Sequence, residues 1–260
     1  MTLVDSHAHL TSDDLYPEID QLLARAKSVG VETVVNICTN KSTLERGIQV
    51  RKGYPNFYNV ASTTPHDVHI EGEEVFPLIE KVAREKQIVA VGETGLDYYY
   101  WKETREIQIH YFKKYLALAR ECDLPIVIHC RDAFEDLFEV LEAHYSEGGR
   151  WLPGVLHCFT GTVEEAKVLI EKGWNISFSG IVTYKKSEEL REVARLVPLE
   201  QMFIETDSPY LAPQPVRGKR NEPSYLPDTA KVLAELRGLS FDDFAAITSQ
   251  NAKKFFGIGA

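Results

Sequence analysis

Short apolar runs rich in valine and isoleucine recur along the chain, and between them apolar residues return every three or four positions. The runs predict strands over residues 2–6, 33–37, 57–61, 88–93, 125–129, 154–158, 175–179 and 202–205. Most lack the strict alternation of a half-exposed strand, so burial on both faces is expected. The intervening periodicity predicts amphipathic helices over 19–26, 75–83, 107–119, 134–141, 166–170 and 190–196. Thr162 stands before Glu164 and Glu165, which suits a capped start for the fifth of these. Two further helices, over 227–237 and 241–256, close the chain.

Strands alternating with helices imply a parallel sheet, and eight such strands can close into a barrel. The expected fold is therefore α/β, a single (β/α)8 TIM barrel over residues 1–260 with its site at the C-terminal face of the strands. The length of 260 residues is close to the ~250 typical of that architecture. Internal repeats and low-complexity tracts are absent from the sequence. The longest irregular stretch, 207–223, contains four prolines, and a loop of this length in a compact domain usually serves function.

Composition narrows the function classes. Hydrophobic residues make up 44% and charged residues 26% of the chain, as in ordinary globular proteins. A run of ~18 apolar residues is missing, and no basic patch leads into an apolar stretch at the start. A cytoplasmic protein without membrane association or an obligate protein partner is expected. Cys38, Cys122, Cys130 and Cys158 show no framework spacing and suit reduced thiols. A net charge of −10 argues against a broad basic surface for duplex nucleic acid. It leaves room for a compact metal site acting on phosphate, where bound cations supply the local positive charge.

Candidate ligands fall in step with the predicted strands. His7 and His9 close the first, and side chains two apart on a strand share a face. Glu93 closes the fourth, His129 the fifth, His157 lies near the end of the sixth, and Asp207 follows the eighth. A surface histidine pair would account for His7 and His9 alone. It would not account for polar residues at the carboxyl ends of so many strands, where barrel enzymes build their sites. Four imidazoles and two carboxylates suit Zn, Mn, Fe or Ni, and carboxylate with water admits Mg. The set exceeds what one tetrahedral zinc needs and suits two cations ~3.5–4 Å apart sharing a carboxylate.

The motifs are Asp5-Ser6-His7-Ala8-His9-Leu10, Gly92-Glu93-Thr94-Gly95-Leu96-Asp97 and His129-Cys130-Arg131-Asp132-Ala133. They continue in Leu156-His157-Cys158-Phe159, Glu205-Thr206-Asp207-Ser208-Pro209-Tyr210 and Lys219-Arg220-Asn221-Glu222-Pro223. With these the sequence resembles, over essentially its full length, the TatD family of metal-dependent deoxyribonucleases in the amidohydrolase-like barrel superfamily. The resemblance implies that His7, His9, Glu93 and Asp207 bind one divalent ion, and that Glu93, His129 and His157 bind a second, with Glu93 bridging. It implies a hydrolase that cleaves phosphodiester bonds from DNA ends through water activated by two metals, with Mg, Zn, Mn or Ni as the cofactor. Net acidity favours single-stranded ends. Asp207 and Glu93 are the expected catalytic carboxylates, Asp207 taking the proton from the attacking water. Many relatives carry Gly-x-His-Pro-His after the third strand, whereas here Thr64 replaces the first histidine and His66 keeps the second. That departure bears on the donor supplied by the loop, not on the metal ligands.

Other residues have two readings. His66 is a phosphate donor or a surface imidazole. Arg131 can fork onto a phosphate, or pair with Asp132, Glu135 or another carboxylate inside the barrel mouth. The run from Tyr98 through Tyr100 to Trp101 can stack unpaired bases, or simply pack. Arg217, Lys219 and Arg220 form a basic loop that meets a nucleic-acid backbone or only solvent. His110 and His144 read as structural. Cys130 and Cys158 each follow a ligand histidine and are expected to point away from the site. Two other functions fit the same motifs: hydrolysis of another ester or amide, in a small molecule or an aminoacyl-tRNA, and metal binding without catalysis.

Overall fold

The computed structural model describes residues 2–100 and 102–259, so Trp101 of the aromatic run lies outside the described residues. The barrel strands are β1 (Leu3–Ala8), β2 (Val31–Cys38), β3 (Phe57–Ala61), β4 (Ala90–Asp97), β5 (Ile126–Arg131), β6 (Gly154–Leu156), β7 (Asn175–Phe178) and β8 (Met202–Ile204). They form one eight-stranded sheet in chain order, and every pairing is parallel. The ends of the sheet meet beyond β8. The Asp207 N–H donates to His7 O at 2.9 Å, and the His9 N–H donates to Ser208 O at 2.8 Å. The chain is a (β/α)8 barrel, as its hydrophobic pattern predicts.

Around the strands run α1 (Ile19–Ser28), α2 (Lys41–Gly53), α3 (Val68–Arg84), α4 (Arg105–Cys122), α5 (Phe134–His144), α6 (Val163–Glu171), α7 (Glu188–Leu196), α8 (Leu226–Leu236) and α9 (Phe241–Phe256). The expected cap on α6 is a full capping box, with Thr162 and Glu165 each bonding the other's backbone N–H. Two elements lack a matching expectation. Helix α2 has weak apolar periodicity and is announced instead by its own capping box, Asn40 with Thr43. A small ribbon, Ser146–Glu147 against Arg150–Trp151, is too short to pattern. Helix α3 starts seven residues before the expected 75, near Pro65. Among the described residues no helix is long and apolar enough to cross a membrane.

Two layers of apolar packing hold the barrel. Outward side chains such as Ile126, Ile128, Ile176 and Ile204 pack under the helices. Inward ones, Val4, Val35, Val60, Ala90, Val127, Val155 and Phe203, fill the interior together with Ala252, Phe256 and Ile258 from the α9 end. Helix α9 thereby seals the N-terminal end of the barrel, and Ser249 pins it by accepting from the Val4 N–H at 3.2 Å. Strand geometry then dictates what lies above this plug. His129 follows Val127 by two, His157 follows Val155 by two, and Glu205 follows Phe203 by two. The next inward layer is therefore polar, and it faces the open C-terminal end.

Candidate metal centre

Glu93 is buried at the centre of this polar layer. Strand β4 does not end there, as expected, but continues to Asp97. The apolar run stops at Gly92 while the pairing to β5 goes on: Gly95 lies opposite His129. A Cβ on Gly95 would fall 2.0 Å from His129 O, and its φ is +132°. Only glycine permits this approach, which brings both Glu93 and Asp97 against the His129 ring.

One Glu93 oxygen serves each half of the site. Oε1 lies 3.1 Å from His129 Nδ1 and 2.9 Å from His157 Nε2. Oε2 lies 3.4 Å from His7 Nε2 and 3.5 Å from His9 Nε2. Asp207 Oδ1 completes the second group, 3.7 Å from His7 Nε2 and 3.4 Å from His9 Nε2. Asp207 follows β8 with φ +56°, a left-handed conformation that aspartate tolerates and that tends to mark functional sites. All six proposed ligands thus meet at one mouth.

Imidazole nitrogens also face one another, His7 Nε2 and His9 Nε2 at 3.3 Å and His129 Nδ1 and His157 Nε2 at 3.4 Å. Left as two lone pairs these contacts repel, whereas a hydrogen on one nitrogen of a pair would make it a hydrogen bond. Divalent cations accepting from both members of each pair would remove the conflict, so the donor chemistry fits metal. Borderline nitrogen and hard oxygen donors together admit Zn, Mn or Ni, with Mg favoured by the carboxylates.

The charge states follow from burial set against neighbours. For Glu93, burial raises the pKa, but His157, His129 and His7 outweigh it and hold the carboxyl well below its usual range. Burial likewise opposes ionisation of Asp207, and His9 with His7 reverses the effect and holds its pKa down. His7 is held low by burial and by His157. His157 goes well up, because Glu93 and Glu205 overcome burial. Both catalytic candidates are therefore carboxylates at neutral pH.

Two carboxylates behind the rings have no expected role in the sequence reading. Glu205 is fully buried and its Oε1 lies 3.3 Å from His157 Nδ1. Asp97, also fully buried, lies 2.9 Å from His129 Nε2 through Oδ2. Parity could have found Asp97, four residues beyond Glu93 on one strand. Such partners orient ligand imidazoles and raise their basicity.

A cavity of about 700 Å³ opens above the ligands, walled by His66, Thr64, Tyr100, Arg131 and Tyr210 among others. His66 donates its Nε2–H to Asp97 at 2.9 Å and is not a free surface imidazole. Thr64 donates to Asp67 Oδ2 at 3.1 Å, at the start of α3. The Arg131 guanidinium stacks 3.7 Å from the Tyr99 ring centre. Among the described residues it makes no ion pair with Asp132 or Glu135. Tyr98 and Arg220 are not brought to the cavity. The Tyr98 hydroxyl is turned outward onto Asp136 at 2.5 Å. Arg220 is held by Asp14 O and by Glu18, each at 2.9 Å. Within the same loop, Arg217 lies over the Tyr184 ring. Asn221 ties the loop together by donating to Thr206 O and Tyr210 O at 2.7 and 2.6 Å.

Cys158 corrects an expectation. It borders the cavity because β6 stops at Leu156 and its φ of +44° breaks strand alternation. Cys130 also reaches the wall, near the end of β5 where the barrel opens. Burial pushes both thiols well up, so neither is a thiolate nucleophile.

Comparison with known proteins agrees with this geometry. The family model described as TatD related DNase matches residues 4–257. An uncharacterized metal-dependent hydrolase of Bacillus subtilis (strain 168), YabD, is 38% identical over 98% of this chain and 99% of its own. A Citrobacter rodentium (strain ICC168) relative named 3'-5' ssDNA/RNA exonuclease TatD is 35% identical over 98% of both chains. Among solved structures, the Escherichia coli K12 TatD homologue YJJV superposes with a TM-score of 0.91 at 25% identity, covering 99% of this chain and 98% of that one. The chain belongs to the TatD family of metal-dependent hydrolases.

Proposed function

We propose that the chain, residues 1–260 acting as one barrel, is a deoxyribonuclease that removes nucleotides from single-stranded DNA ends. One observation carries the reading: a single buried carboxylate, Glu93, divides its two oxygens between two groups of metal donors beneath an open cavity. His7, His9, Glu93 and Asp207 would hold one divalent ion, and Glu93, His129 and His157 a second. Such ions, when bound, lower the pKa of water and draw charge from phosphoryl oxygens.

The protein's own groups do the rest. Asp207 is ionised, lines the cavity and is the carboxylate available to accept the proton of the attacking water. Arg131 stands on the wall as a donor to the phosphate, and His66, its Nε2–H taken by Asp97, lines the same wall. Tyr99 and Tyr100 are exposed beside the mouth and offer faces to unpaired bases. A relative named as a single-stranded exonuclease supports the substrate class.

The test is digestion of end-labelled single-stranded DNA by the chain loaded with Mg, Mn or Zn, product lengths being followed in time. A ladder shortening from one end is expected. Intact DNA, with turnover of an aminoacyl ester in a parallel reaction, would move the assignment to another ester. Tight metal binding without turnover of either would make the chain a metal-binding protein only.

A further inference from the structure

Asp97 touches more than the metal side of the site. Its Oδ2 lies 2.9 Å from His129 Nε2 and 2.9 Å from His66 Nε2. Its Oδ1 accepts the backbone N–H groups of Tyr99 and Tyr100 at 3.0 and 3.2 Å. Gln108 locks the backbone beneath, accepting from Asp97 N at 2.8 Å and donating to Asp97 O at 3.0 Å. An ionised carboxylate can only accept, so both facing Nε2 atoms carry hydrogen. By the same rule Glu93 Oε1, 3.1 Å from Nδ1, also attracts the single hydrogen of the neutral His129 ring; the shorter Asp97 contact, 2.9 Å, places it on Nε2 and leaves Nδ1 as the lone pair. His157 has the reverse arrangement, with Nε2 toward Glu93 and Nδ1 toward Glu205.

We infer that Asp97 is a positioning residue: it sets the His129 tautomer that presents Nδ1 to the metal centre, and with the same oxygen fixes His66 on the substrate wall. Its ionisation agrees with this role. Burial would raise its pKa, but His129 and His66 bonding to it overcome that and hold it far below the usual carboxylate range.

The orientation of an asparagine here can be argued. In Asp97→Asn one side chain atom must face the Tyr99 and Tyr100 N–H groups, which cannot change their donor role. The amide oxygen therefore takes that side, and the NH₂ turns to the imidazoles. An NH₂ facing Nε2 demands a lone pair there and so moves the His129 hydrogen to Nδ1, the wrong nitrogen for a ligand. Asp97→Ala imposes no such choice, since water can satisfy either tautomer. The isosteric variant should thus be the more damaging one, contrary to what loss of packing alone would give.

The experiment has two arms on the full chain. The first reads the His129 ring nitrogens by NMR in the metal-free protein, at a pH alkaline enough to leave the imidazole neutral. Wild type should be protonated at Nε2 and Asp97→Asn at Nδ1. A variant that keeps Nε2–H overturns the inference, whatever the metal does. The second arm titrates zinc against a chromogenic chelator. Removal of such a partner typically weakens metal binding ~10–100-fold. The expected order of affinity is wild type, then Asp97→Ala, then Asp97→Asn, with His66→Ala close to wild type. Asp97→Asn binding zinc as tightly as wild type, or more tightly than Asp97→Ala, overturns it. The second arm rests on the proposed metal centre; the first does not. Wild type that takes up no zinc, with the tautomer switch intact, would sink the metal centre and leave the positioning role standing.

Discussion

Glu93 Oε1 lies 2.9 Å from His157 Nε2, while the other oxygen of the same carboxylate lies 3.4 Å from His7 Nε2. One side chain therefore connects two groups of donors that come from opposite sides of the barrel. Glu93→Gln removes negative charge from both, so metal stoichiometry per chain should fall at both positions. His129→Ala should lower occupancy mainly at the site shared with His157. Elemental analysis after equilibration with zinc measures both. Unchanged metal content in the Glu93 variant would rule out a bridging role.

The rim gives a prediction about substrate. Tyr100 and Tyr210 both line the cavity and stand 60% and 57% exposed, a poor use of aromatic area unless something covers it. Base stacking on such faces is worth ~1–3 kcal/mol per base. Tyr100→Ala and Tyr210→Ala should each raise KM for single-stranded DNA by about five- to a hundred-and-fifty-fold, on that scale. Turnover of bis(4-nitrophenyl) phosphate, which has no base, should change little. Equal losses on both substrates would assign the tyrosines to the structure of the mouth instead.

How much of this was legible follows from which forces write themselves into local sequence. Strand β3 is legible to the residue, because burial on both faces makes an apolar run with sharp ends. The same rule shortens β4, since Gly92 to Gly95 and Asp97 are polar or small, and Leu96 alone in that stretch joins the core. The convergence of the six proposed ligands was legible because strand ends are repeated positions at one end of the barrel. Asp97 and Glu205 were not assigned, since their roles lie in contacts to His129 and His157, on other strands. Tyr98 misled for the opposite reason: the aromatic run marks the mouth, but the turn after β4 sends this ring to Asp136. Arg220 likewise sits in a motif whose local use is to clamp the loop.

Stability should carry an acid-sensitive contribution away from the site. Arg25 on α1 holds Glu222 by two bonds, Nε to Oε1 at 2.8 Å and Nη2 to Oε2 at 2.7 Å. Burial raises the Glu222 pKa, but bonding by Arg25 and Ser224 outweighs it, and the net shift is downward. A depressed carboxylate stabilises the fold above its unfolded pKa, and that stability is lost as pH falls through the folded value. Because Arg25 is largely solvated, the pair is worth about 1 kcal/mol or less. Glu222→Gln should therefore lower Tm slightly at neutral pH, and the difference should close in acid below the carboxylate range. A difference that persists unchanged into acid would show that the pair's charge does not matter.

Asp207 supplies the sharpest test of the chemistry. It is buried, held ionised by His9 and His7, and placed by a left-handed backbone at the point where the barrel closes. A carboxylate there can both help hold a cation and accept the proton of the attacking water. Loss of a general base costs ~10²–10⁴ in rate, and the cost falls on kcat rather than on substrate binding. Asp207→Asn keeps size and permits the same backbone conformation, so folding should survive. The expected outcome is a kcat on single-stranded DNA lower by about a hundredfold or more, with KM nearly unchanged. Metal content must be measured on the same sample, because the amide is also a poorer ligand. If reloading with excess metal restores turnover, Asp207 acts only as a ligand. If the variant is fully metallated and still slow, the proton goes to Asp207; near-normal turnover at full metallation would show that it goes elsewhere.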